Sequence, residues 1–267
     1  MALSDIRPTV RRRISWGISL GVALILVIAV AWFAVMNWDV LGRQFFNGEV
    51  AAKLFPDAIT VCLRNTLLYT IICFVIGTFF AMVLALMKMS RGPLRWFAIA
   101  FIEVFRGLPA MLTIFAFAFM VPMVFQYRWP IGGIFGGLIG LVCVTAAYNA
   151  EVIRSGLEAV PRGQREAARS LGMSIMTTNL IIILPQGLRI VIPPLTNEFV
   201  MLLKDTALLF IAGASIGMRE LTTFGRDGLT TYSNGTPMIV AGVLYLIVTI
   251  PLTYLVGRLE KRMAVKK

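Results

Sequence analysis

Residues 65–87 read NTLLYTIICFVIGTFFAMVLALM, a run of 23 positions without Asp, Glu, Lys or Arg. A helix rises about 1.5 Å per residue, so such a run can cross a hydrocarbon core about 30 Å thick. Runs 14–38, 107–127, 129–150 and 228–257 are also uncharged and long enough. The last opens with Thr230, Thr231, Ser233, Asn234, Gly235 and Pro237, a turn-like composition, which places its span nearer 238–255. The third span is expected to begin before its uncharged run, near Trp96. Run 14–38 has 25 residues, beyond the apolar core of about 7–15 in a signal peptide, and reads as an uncleaved span.

Composition agrees. Of 267 residues, 58% are apolar and 14% charged, against about a quarter charged in soluble domains. Lys and Arg number 25 against 13 Asp and Glu, a net charge of +12. A nucleic-acid binder shares the basic excess but not the hydrophobicity. Histidine is absent, which excludes His-based triads and His-ligated metals within this chain. Cys62, Cys73 and Cys143 lie in or beside apolar runs without a CxxC pattern, so they read as small apolar side chains. No catalytic residue and no metal ligand is expected.

Residues 170–218 hold one crossing or two. Ser170 to Leu188 is uncharged but rich in Gly, Ser, Thr and Pro, whereas 190–218 is more apolar yet carries Glu198, Lys204 and Asp205. Charge bias decides. With six spans and a cytoplasmic N-terminus, inner segments 1–13, 88–95, 151–189 and 258–267 hold four, three, five and five Lys or Arg, seventeen together. The outer segments hold five, namely Arg43, Lys53, Arg128, Arg219 and Arg226. Seven spans place the basic tail outside, against the positive-inside rule. The expected fold is an all-α integral membrane protein with six transmembrane helices and both termini cytoplasmic. Segment 151–189 then becomes a long cytoplasmic loop, and the basic excess is a topology signal, helped by anionic lipid headgroups.

That loop contains Glu166-Ala167-Ala168, three residues, Gly172, nine residues, then Ile182, one residue, Leu184 and Pro185. Residues 164–171 can form a short helix, with Ala167, Ala168 and Leu171 as a small, low face flanked by Arg162, Arg165 and Arg169. Gly172 is expected to stop it. Small residues admit a partner's groove and the edge charges set its orientation. Gln164, Glu166, Ala167, Ala168, Arg169, Leu171 and Gly172 are therefore candidate docking residues.

Charges also enter the spans, where ionisable groups are costly and face a cavity or a partner. Glu103 and Arg106, three apart, form either an ion pair near the interface or a gating element. Pro109 follows and denies the carbonyl of Phe105 its helix donor. Glu151 and Arg154 repeat the spacing one turn after Tyr148 and Asn149. These residues either touch a substrate or anchor the loop. Glu198 and Asp205, with Asn197 and Lys204 beside them, make a polar stripe on an apolar helix, next to Thr206. The stripe lines a translocation pathway or forms a buried inter-helix network. Pro193 and Pro194 are expected to break that helix. Gly132, Gly133, Gly136, Gly137 and Gly140 give the small-x3-small spacing of closely packed helices.

The joint pattern resembles the polar amino-acid permease family of ABC importers, from about Cys62 to the end. It rests on IEVFRGLP (102–109), AYNAEVIRSG (147–156), PRGQREAA (161–168), LPQ (184–186) and LKDTAL (203–208). The resemblance implies a type I importer in which two permease subunits, identical or paralogous, pair. It implies that each EAA helix sits in a cleft of a cytoplasmic ATPase, and that a periplasmic or lipid-anchored binding protein delivers the amino acid. The chain has no GxxxxGK[ST] loop, so ATP and Mg are expected on the partner and no cofactor in this chain. By the same resemblance, 1–59 is an added tail, helix and periplasmic loop. Residues 60–257 are the permease core and 258–267 a basic cytoplasmic tail. Family members typically have five spans and often Ser where this chain has Ala207. A self-sufficient secondary transporter or channel is the alternative, and a membrane enzyme a third. No inverted repeat supports the second, and no paired carboxylates or His cluster the third.

Overall fold

A computed structural model describes residues 8–263. Arg7, Lys266 and Lys267, which enter the charge count, lie outside the described residues. The chain forms two compact units, 1–47 and 48–267.

The first unit contains α1 (Pro8–Val35) and α2 (Trp38–Phe45). Asn37 caps α2, its side chain accepting the Val40 N–H at 3.2 Å. Phe33 and Trp38 meet edge to face across the turn, ring centroids 4.3 Å apart. The described side chains of α1 are apolar and exposed from Leu20 to Val35, as suits a helix solvated by lipid.

The second unit is a helical bundle. Its elements are α3 (Gly48–Leu54), α4 (Ala58–Met89), α5 (Pro93–Gly107), α6 (Ala110–Phe125), α7 (Gly133–Glu158), α8 (Arg162–Ser170), α9 (Ile175–Ala212), α10 (Leu221–Tyr232) and α11 (Thr236–Met263). The described residues contain no strand. Among the described residues of the chain, four helices, α4, α7, α9 and α11, are long and apolar enough to span a membrane, and up to six spans result if each of two bent pairs counts as one. Within this unit α3 packs on α11, and Leu54 is buried.

Helix α7 is the axis of the bundle, contacting α4, α5, α6 and α9. Its partner α4 buries Thr66, Thr70, Cys73, Gly77, Ala81, Leu84 and Ala85, nearly all small and three or four residues apart. In lipid, helices associate through close packing rather than through a hydrophobic drive, and this stripe permits it. A Cβ on Gly77 would lie 2.8 Å from the Thr145 methyl. The glycines of α7 do the same on other sides. A Cβ on Gly136 would lie 2.3 Å from the Phe117 carbonyl oxygen, and one on Gly140 3.0 Å from the Ile114 Cα.

Three features differ from the sequence expectation. First, the third span is a bent pair, α5 and α6 turning 106° at Leu108-Pro109. A residue before proline avoids helical geometry; Leu108 is extended at φ −88°, ψ 139°. Pro109 then starts α6, its carbonyl accepting the N–H groups of Leu112 and Thr113. Second, Pro193 and Pro194 do not break α9. Packing holds the helix through them. Val191 is buried so close to Gly156 that a Cβ there would lie 2.2 Å from it, and Gly187 abuts Leu157. Third, residues 151–158 continue α7 and 175–189 open α9. Only 159–174 lies outside the long helices, and α9 ends at Ala212 rather than Met218.

Gly136→Ala is expected to destabilise the protein by about 1–3 kcal/mol through backbone overpacking. Gly242→Ala, where a Cβ meets nothing within 4 Å, should be neutral or slightly stabilising. Thermal melting in detergent compares the two, and equal melting points would refute close packing at Gly136.

Candidate functional site

The segment 159–174 is built by local rules. Pro161 precedes α8 at φ −54°, ψ 132°, and its carbonyl accepts the Gln164 N–H at 3.0 Å. The helix therefore begins two residues before Gln164. At the other end Leu171 N–H reaches Ala167 O, Gly172 N–H reaches Arg169 O at 3.0 Å, and Met173 N–H reaches Ala168 O at 3.2 Å. This is a Schellman ending, which needs a left-handed residue; Gly172 supplies φ +81°. Ser174 then caps α9, its hydroxyl accepting the Thr177 N–H at 3.1 Å. Gln186 donates to Gln164 at 3.4 Å, tying the LPQ stretch to α8.

Ala167, Ala168 and Leu171 do not share a face. Ala168 is buried and packs toward the first turns of α9, while Ala167 and Leu171, four apart, point outward. Gln164, Glu166 and Arg169 are exposed. Leu171 is 84% exposed, and Ile175 (67%) and Met176 (72%) follow it. The outward surface is thus more apolar than the motif alone indicates.

The charged residues separate into groups with different surroundings. Lys88 at the end of α4 donates to Glu151 at 2.9 Å, Glu151 also pairs with Arg154, and Arg154 pairs with Glu158. Glu151 thereby belongs to a network joining the ends of α4 and α7. Asn149 is fully buried and donates to Thr78 at 2.8 Å. Thr206 is also buried, bonded to the Leu203 carbonyl at 2.6 Å.

The accessible group lies elsewhere. Tyr148 is exposed, and the Arg106 guanidinium sits 5.6 Å from its ring centroid, a cation–π geometry. Arg106 stacks there instead of pairing with Glu103, which is exposed and forms no ion pair among the described residues. Arg106 also lies within Coulomb range of the half-buried Glu198. One to two turns along α9 come the exposed Lys204 and half-buried Asp205. Tyr148, Arg106 and Glu198 are therefore brought together from three helices, whereas Asn149, Glu151 and Thr206 face other neighbours.

The sequence reading missed Glu220. It is fully buried and caps α10, accepting the N–H groups of Thr222 and Thr223, the latter at 2.6 Å, and the Thr223 hydroxyl; Tyr245 OH lies 3.4 Å away. Around it, the Leu221 N–H reaches Thr66, Asn65 donates to the carbonyls of Gly217 and Arg219, and Tyr69 donates to Met218 O at 2.9 Å. This network ties the 213–220 segment to the start of α4. An acid directly before Leu221-Thr222-Thr223 was the available cap signal. Burial pushes the Glu220 carboxyl above the ordinary range, opposed by bonds from Thr223 and Thr222. Its stabilisation is therefore fullest below the ordinary carboxylate value and is lost as pH rises through the raised one. Wild type should lose stability relative to Glu220→Gln across that interval. Melting curves at a series of pH values test this, and parallel profiles would count against it.

Residues 76–265 match the family described as binding-protein-dependent transport system inner membrane component. The chain is 34% identical over 200 residues to the probable glutamine ABC transporter permease protein GlnM of Bacillus subtilis (strain 168), covering 74% of this chain and 90% of that one. It is 31% identical over 206 residues to the glutamate/aspartate import permease protein GltK of Escherichia coli O6:H1, covering 74% and 90%. A crystal structure of an amino acid ABC transporter with histidines superposes at a TM-score of 0.72, with 32% identity over 81% of this chain and 98% of that one. With its spanning helices, its α8 ending on Gly172 and these matches, the chain belongs to the family of binding-protein-dependent transport system inner membrane components.

Proposed function

We propose that this chain is the permease subunit of an ATP-driven ABC importer that carries a polar or charged amino acid into the cell. The observation that carries the reading is α8. It is a short exposed helix, anchored through Ala168 and Gln164 to the start of α9, in a chain without a phosphate-binding loop. A separate ATPase grips α8 and the exposed Leu171, Ile175 and Met176; ATP with Mg, bound there, supplies the driving energy. Because α8 rests on the first turns of α9, a displacement of α8 moves α9 as a rigid element. Glu198, Lys204 and Asp205 ride on that element. The charge bias supports cytoplasmic termini, which put α8 on the ATPase side.

Two such subunits, identical or paralogous, enclose the pathway, and a periplasmic or lipid-anchored binding protein delivers the substrate. Tyr148, Arg106, Glu198, Lys204 and Asp205 face that pathway. Relatives named for glutamine, for glutamate and aspartate, and for arginine support a polar or charged amino acid without choosing its sign.

Gly172→Val forces a branched side chain into a left-handed backbone, at a cost of about 1–3 kcal/mol. It should leave the bundle folded while lowering binding-protein-dependent uptake about tenfold or more, or releasing the ATPase on purification. Glu166→Trp is expected to act alike, and normal uptake in both would remove the docking role. Asp205→Asn should impair uptake in vesicles while the ATPase still copurifies; full transport would place Asp205 outside the pathway.

A further inference from the structure

Two cavities of opposite character are lined by neighbouring residues where α4 ends and α5 begins. The first, about 610 Å³, is an apolar groove between α4, α5 and α7, lined by residues such as Ile76, Phe80, Leu84, Phe97, Phe101 and Val142. The second, about 550 Å³, lies at the helix ends and is lined by Lys88, Arg95, Glu158, Arg162 and Arg165. Lys88 follows Leu84 by four residues, so the apolar face of α4 runs directly into the basic cavity. On α5, Arg95 stands two residues before Phe97.

The basic cavity is not neutralised from within. Lys88 is engaged by Glu151, and Glu158 by Arg154. Arg95, Arg162 and Arg165 are exposed, and none has a carboxylate within ion-pair distance among the described residues. Three free guanidinium forks suit phosphate oxygens. The groove follows α4 from Ile72 to Met87, about 22 Å of helix, against about 15 Å for the hydrocarbon of one leaflet. A whole acyl chain therefore fits beneath the basic cavity.

We propose that these neighbouring cavities form a binding site for one anionic phospholipid, its phosphate held by Arg95, Arg162 and Arg165 and an acyl chain lying in the groove. Charge complementarity selects an anionic over a zwitterionic headgroup. An acidic patch of a protein partner matches the arginines but leaves the adjoining groove unexplained. Since Arg162 and Arg165 belong to α8, the lipid ties that helix to the membrane surface.

Native mass spectrometry of the purified full-length protein, titrated with phosphatidylglycerol and with phosphatidylcholine, tests the site. Phosphatidylglycerol should be retained selectively. The triple variant R95Q/R162Q/R165Q should bind it about 100-fold more weakly. Val142→Trp, or Ile76→Trp if the first does not fold, fills the groove and should weaken it as well. Equal retention of the two lipids, or unchanged phosphatidylglycerol binding in the triple variant, overturns the proposal; the latter, with loss of the ATPase, assigns the arginines to a protein contact. Displacement of the lipid by glycerol phosphate at equal concentration, with no effect of groove filling, also overturns it in favour of a soluble phosphate.

Discussion

Helices in a bilayer gain little from burying apolar surface, because lipid tails are as apolar as leucine. What holds this bundle together is close approach, and close approach needs small side chains. Along α4 these are Thr66, Thr70, Cys73, Gly77, Ala81 and Ala85; along α7 they include Gly136, Gly137, Gly140 and Ala147. With α4 and α7 in contact, Thr78 reaches Asn149 and Lys88 reaches Glu151. The polar bonds follow from the packing rather than cause it.

The same constraint sorts the breaks. Backbone groups freed inside lipid must find partners within the protein. At Pro109 the chain turns sharply, and the carbonyl of Pro109 itself opens the next helix by accepting from Leu112 and Thr113. At Pro193 and Pro194 contacts on Gly156 and Gly187 keep α9 continuous. One continuous α9 therefore runs from its contact with α8 to Glu198 and Asp205 further along.

Much of the fold was legible in the sequence. Long uncharged runs located the helices that cross the membrane. The glycine spacing of α7 announced close packing. Gly172 ended α8 through its left-handed conformation, although the helix starts at Arg162 rather than Gln164. These are local effects, set by a residue and its near neighbours. The acidic cap at Glu220 was equally local, but its importance comes from Thr66, Tyr69 and Tyr245, which lie far off in the chain.

The order of residues along the chain decides which polar groups share a helix and how far apart in angle they stand. It did not determine what occupies each side of a helix. Tyr148 and Asn149 are neighbours, yet one stacks under Arg106 and the other is buried against Thr78. Glu151 and Arg154 pair as their spacing indicates, but the third member is Lys88, 63 residues away. Glu103 and Arg106 have the same spacing and stay apart, because Tyr148 offers Arg106 an aromatic face. Helical periodicity fixes relative direction within one element. Only the packing of several elements supplies the partner in that direction, and hence decides whether a charge braces two helices or stays accessible.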